Sequence, residues 1–136
     1  MAWVIDTCLL IDVAENDPSF GTASAALIDS KRTAGLVVCP VTYAELAPVF
    51  NGDGKAQNEF LLQLGAIWPE AWTLADTSAA HEAWHRYVLA KRSGTVPKRP
   101  IADILIGAFA SRFDGLLTRN PADFRPTFPS LAIDTP

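Results

Sequence analysis

Short apolar runs separated by helical stretches set the tightest limit on what this chain can become. Ala2-Trp3-Val4-Ile5 opens it, Leu36-Val37-Val38-Cys39 is closed by Pro40, and Gly115-Leu116-Leu117-Thr118 follows a long helical stretch. Runs this short are not helices, and continuous apolar character marks strands buried on both faces. Between them, helical periodicity and stop signals predict helices over 7–16, 22–33, 41–50, 55–64, 77–92 and 101–113. Weaker strand candidates lie at 66–68, 72–74 and 131–133. Short strands alternating with helices mean βαβ units. The expected fold is α/β, with three layers (α/β/α) around a central parallel sheet and residues 1–136 forming one domain.

Composition narrows the function classes. The apolar share is 49% and the charged share 19%, values of a globular chain. A net charge of −4 excludes a protein drawn to nucleic acid by its overall field. A polyanion would have to meet a local basic patch or a bridging metal ion. Cys8 and Cys39 both lie in apolar stretches and read as buried reduced thiols. There is no basic-then-apolar leader and no run near the ~18 apolar residues of a membrane span. A cytoplasmic location is expected.

Carboxylates stand at the joints between these elements. Asp6 ends the first strand, where sites of parallel sheets gather, although on this stretch alone an N-cap is the simpler reading. Glu45 follows the second strand in Thr42-Tyr43-Ala44-Glu45, a capping-box spacing with Thr42 at the N-cap. Pro48 is awkward within that helix and should kink it. Asp103 lies in Pro100-Ile101-Ala102-Asp103-Ile104-Leu105-Ile106-Gly107, where nearly everything else is apolar. The helix dipole makes an acid tolerable there, but a carboxylate in an apolar helix still needs a partner or a cation. Asp123 follows the strand ending at Thr118. An oxygen-only cluster suits Mg²⁺ or Mn²⁺, and such an ion suits hydrolysis of a phosphodiester by activated water.

Four segments then fall in order: Ile5-Asp6-Thr7-Cys8-Leu9-Leu10-Ile11-Asp12; Thr42-x-x-Glu45-Leu46; Ile101-Ala102-Asp103-Ile104; and Leu117-Thr118-Arg119-Asn120-x-x-Asp123-Phe124. Together they span nearly the whole chain and resemble the PIN-domain family, within it the VapC-like toxins of type II toxin–antitoxin pairs. The resemblance implies a PIN-like fold and a Mg²⁺- or Mn²⁺-dependent endoribonuclease acting on RNA. It implies a catalytic and metal-holding set of Asp6, Glu45, Asp103 and a last acid. Asn120 stands where relatives can carry Asp, so Asp123 is expected to supply that charge, with Thr7, Thr118 and Asn120 as hydrogen-bonding support. It also implies an antitoxin partner and a homodimer. Phe50, Phe60 and Leu61, on the helices expected at 41–50 and 55–64, are candidate anchors for a partner helix.

Two further features compete for attention. His81-Glu82-Ala83-Trp84-His85 is a literal H-E-x-x-H, the spacing with which zinc peptidases bind their metal. Only these two histidines exist, so a third ligand would be a carboxylate. The plain alternative has Trp84 and Val88 facing the core and the motif solvated. A zinc metallopeptidase and a non-catalytic PIN-like binding module are the competing functions. Lys91, Arg92, Lys98 and Arg99 cluster just before Asp103, either as a solvated helix end or as an RNA-binding phosphate rim.

Overall fold

The computed structural model describes residues 2–92 and 100–136. Five parallel strands, β1 (Trp3–Ile5), β2 (Leu36–Val37), β3 (Ala66–Ile67), β4 (Gly115–Leu117) and β5 (Ile133–Asp134), lie in the order β3-β2-β1-β4-β5. The chain therefore builds outward from β1 to β3, then returns to place β4 on the other side of β1. That reversal beside β1 is a topological switch point, where the crevice at the carboxyl ends of the strands is open to a ligand. In register, Ile5 faces Leu117. The next residues, Asp6 and Thr118, are thereby set side by side at that edge.

The strands divide the core into two layers by simple alternation. Ile5, Leu36, Val38 and Leu117 pack with Leu9, Leu10, Ile28, Leu46 and Leu61 on one face. Val4, Val37 and Leu116 pack with Ile106, Phe109 and Phe124 on the other. The first layer belongs to α1 (Thr7–Ala14), α2 (Gly21–Ser30), α3 (Pro40–Glu45) and α4 (Gly54–Leu64); the second to α6 (Pro100–Ala110), with α5 (Leu74–Arg92) packed outside it. This is the expected three-layer architecture with a parallel central sheet. Among the described residues no helix is long and apolar enough to cross a membrane.

Several local readings change. The helix expected over 41–50 is two pieces: α3 begins at Pro40 and ends at Glu45, and Ala47–Phe50 forms a separate 3-10 turn. Proline is tolerated at the start of a helix and not inside it, so Pro48 breaks the segment instead of kinking it. Because Cys39 is the N-cap, Thr42 lies inside α3 and makes no capping box. The capping box lies elsewhere: the Thr73 N–H donates to Asp76 Oδ2 at 2.9 Å and the Asp76 N–H donates to Thr73 Oγ1 at 3.2 Å. It starts α5 at Leu74, so 72–74 is no strand. On α5 the inward face is Ala83 and Tyr87, while Trp84 is 43% exposed and Val88 half-buried. Small Ala83 lets α6 approach closely, which bulky Trp84 would prevent. Leu61 is fully buried and so unavailable as a docking anchor; Phe50 and Phe60 pack on each other with ring centres 5.3 Å apart.

Gly107 on α6 allows the buried Phe128 ring to lie directly on the helix, and a Cβ there would collide with that ring. Gly107→Ala should therefore destabilise the protein by about 1–3 kcal/mol. Chemical denaturation would show this as a lower midpoint with unchanged slope, whereas an unchanged midpoint would contradict the packing described.

Candidate functional site

Asp6 is the joint between β1 and α1. Its backbone N–H donates to Leu117 O at 2.9 Å, extending the β1–β4 pairing by one bond. Its side chain caps α1 by accepting the Thr7 N–H on Oδ1 at 2.8 Å. Oδ2 accepts from the Thr118 hydroxyl at 2.7 Å and from the Cys8 thiol at 3.4 Å. The cap reading is thus correct, but it occupies only one oxygen. Only 6% of Asp6 is exposed. Burial pushes its carboxyl above the usual range, against the pull of the Thr118, Cys8 and Thr7 hydrogen bonds, and the Glu45 charge adds to the rise.

Glu45 ends α3, on the same edge of the sheet. Its Oε1 accepts from the Thr7 hydroxyl at 2.7 Å, and Thr7 Oγ1 also lies 3.0 Å from Thr42 Oγ1. A hydroxyl has one proton to give. If Thr7 gives it to the carboxylate, Thr42 donates to Thr7, forming a relay from Thr42 through Thr7 to Glu45. Thr42, fully buried, was misread as a cap because only the chain's return brings it beside Thr7. A second relay serves Asp6, in which the Asn120 N–H donates to Thr118 Oγ1 at 3.0 Å and Thr118 donates onward to Asp6. Asn120 thus acts through its backbone, while its side chain is exposed.

Asp103 occupies the first turn of α6, half-buried. Since α6 runs into β4, its N-terminus lies at the carboxyl edge of the sheet. Burial first, and then the negative charges of Asp6, Asp123 and Glu45, together raise the Asp103 carboxyl to about 7. One carboxyl therefore senses the other three. Asp123 ends the 3-10 turn Pro121–Asp123 and is half-buried. The fold brings these four acids into one electrostatic neighbourhood.

The donor set fits a hard divalent cation. All the groups are oxygens, and among the described residues none of the four acids is ion-paired to a basic side chain. No three described His, Cys, Asp or Glu side chains are close enough to grip an ion together. Mg²⁺ accommodates this, because it keeps several waters and binds through one or two carboxylates.

The same absence removes a ready third ligand for His81 and His85, which with Glu82 lie exposed on α5. Lys91 and Arg92 are exposed in the last turn of α5, while Lys98 and Arg99 lie outside the described residues. Cys8 was read only as a thiol; burial and then the Asp6 charge push it up to about 12, so it stays a neutral donor to Asp6.

The family model described as PIN domain matches residues 3–125. No curated protein matches the sequence. A solved chain from the crystal structure of VapBC2 from Rickettsia felis bound to a DNA fragment from their promoter is 16% identical, with a TM-score of 0.64 over 99% of this chain and 98% of that one.

The Asp103 environment has a pH consequence. Its folded value near 7 lies above the ordinary 3.8. Between these values the unfolded chain has released a proton that the folded one keeps, so stability falls as pH rises through this window and levels off above it. In chelator, Asp103→Asn should melt higher than wild type near pH 8 and almost equally near pH 4. Parallel melting curves across that range would contradict the placement of Asp103.

Proposed function

The chain belongs to the PIN-domain family, and from that premise we propose that it is a Mg²⁺- or Mn²⁺-dependent endoribonuclease, the VapC-like toxin of a toxin–antitoxin pair. The observation that carries this reading is Asp103. A carboxyl held in an apolar helix and raised to about 7 by burial and by Asp6, Asp123 and Glu45 is costly without a cation. Asp6 and Asp103, both raised by burial and by neighbouring acids at the open edge of a sheet, are candidates for chemistry.

In this reading Asp6, Glu45, Asp103 and Asp123 would hold the metal, one or two of them directly and the others through its waters, and the metal would supply an activated water and stabilise charge on the scissile phosphate. The protein's own part is orientation. Thr118 and Cys8 fix Asp6, Thr7 and Thr42 fix Glu45, and the Asn120 N–H fixes Thr118. Asp103, titrating near 7, is about half protonated at neutral pH, and a bound cation would favour its charged form. Lys91, Arg92, Lys98 and Arg99 supply the basic rim for RNA phosphates that the net charge of −4 does not.

The likeness to a VapBC2 chain supports the VapC-like part of the reading. A cognate antitoxin that blocks the site, and a homodimer, belong to the same proposal. Phe50 and Phe60 remain half-buried candidates for the antitoxin contact, without Leu61.

Substitution at the acids separates a nuclease from a non-catalytic module. Asp6→Asn and Asp103→Asn each keep size and shape but remove a charge. Each should reduce Mn²⁺-dependent RNA cleavage by ~100-fold or more, beyond what loss of a supporting partner usually costs, while the circular dichroism spectrum is retained. His81→Ala should leave cleavage unchanged. Full activity in Asp103→Asn would sink the proposal, and zinc-dependent activity lost in His81→Ala would replace it with the peptidase reading.

A further inference from the structure

Arg119 lies between the two residues that hold Asp6 in place. Thr118 donates to Asp6, and the Asn120 N–H donates to Thr118. The Arg119 side chain turns to α1 instead. Its Nε donates to Asp12 Oδ2 at 2.9 Å and its Nη2 to Asp12 Oδ1 at 3.1 Å, a two-pronged pair. Asp12 is only 2% exposed and also accepts from the Ser24 hydroxyl at 3.0 Å. The Phe20 ring covers the guanidinium, 4.2 Å from ring centre to Cζ. By pattern alone Asp12 reads as a polar residue on the side of α1 away from Leu9, Leu10 and Val13. The structure buries it because Arg119, far along the chain, comes to meet it.

Strand pairing gives out where this pair acts. The β1–β4 register ends at Ile5 and Leu117. Beyond it, Thr118 keeps one sheet bond, from its N–H to Asp134 O at 3.1 Å. The Thr118 hydroxyl must still be held within hydrogen-bond reach of Asp6, and such bonds weaken steeply with distance and angle. A rigid guanidinium fork anchored on α1, the helix that Asp6 itself caps, supplies that constraint. Resting on the nuclease reading above, we infer that the Asp12–Arg119 pair is a positioning element for the reaction. It holds Thr118 and the Asn120 amide in place, and so aims the Asp6 carboxylate at the cation without touching cation or RNA.

The test uses full-length protein. Arg119→Met alone strands a buried carboxylate and risks unfolding, so the decisive variant is Asp12→Asn with Arg119→Met, which removes both charges. Arg119→Lys keeps charge but loses the fork. Well below the melting temperature, the double variant should lose about 10- to 100-fold in kcat, with KM for RNA unchanged. Its affinity for Mn²⁺ alone, read by calorimetry, should fall in the same range, and Arg119→Lys should recover part of both. A lower melting temperature with unchanged kcat and Mn²⁺ affinity would overturn the inference and leave a purely structural ion pair. A raised KM with a salt slope flattened by about one would also overturn it, by making Arg119 a phosphate contact. If wild-type protein cleaves no RNA with Mn²⁺, the nuclease reading fails and the Mn²⁺ titration decides alone. Weaker binding in the double variant then supports the positioning role, and equal binding, or none by wild type, overturns it.

Discussion

Like charges in a partly dry site repel, and that repulsion is the constraint around which this structure is arranged. Asp103 sits in the field of Asp6, Asp123 and Glu45, and burial already disfavours its charged form. A protein selected only for stability would place an apolar residue in α6 here. The sheet's topology makes the arrangement possible. Because β4 returns to the open side of β1, the ends of both central strands and the starts of α1 and α6 converge on one edge. Each of those termini can carry an acid without breaking a strand or a helix.

The acids are then oriented by neutral donors. Thr118, Cys8 and the Thr7 amide bond to Asp6, and Thr7 backed by Thr42 bonds to Glu45. Hydroxyls, a thiol and amides fix direction without cancelling charge, which leaves the negative field available to a cation. Two of the described cations are held by other acids. Arg119 is paired with Asp12, and Arg112 with Asp76, both carboxylates nearly fully buried. Two ion pairs thus stand beside four acids that have no basic partner among the described residues, which distinguishes the site from an ordinary surface charge cluster.

Much of the fold was legible in the sequence because the strands are continuous apolar runs and the sheet is parallel. The strand tips follow from them, and so did the positions of Asp6, Glu45 and Asp103. Contacts made only by tertiary return were not legible. Asp12 matched a solvated helix face until Arg119 supplied a partner from beyond β4. Thr42 and Glu45 matched a capping box, a purely local pattern, while Pro40 had already started the helix earlier. The plain reading of the H-E-x-x-H segment turned Trp84 and Val88 to the core, whereas the closeness of α5 to α6 required a small residue at 83. The family resemblance implied what spacing could not, that these acids, scattered along the chain, serve one chemistry.

The proposal makes the four acids one coupled site for a divalent cation, with Asp103 partly protonated near neutral pH until the ion binds. Titrating wild-type protein with Mn²⁺ near pH 6.5 in weakly buffered solution, while following the pH, tests it directly. The account predicts saturable proton release on Mn²⁺ binding that is absent in Asp103→Asn. Mn²⁺ binding without proton release, or with equal release in Asp103→Asn, would contradict it.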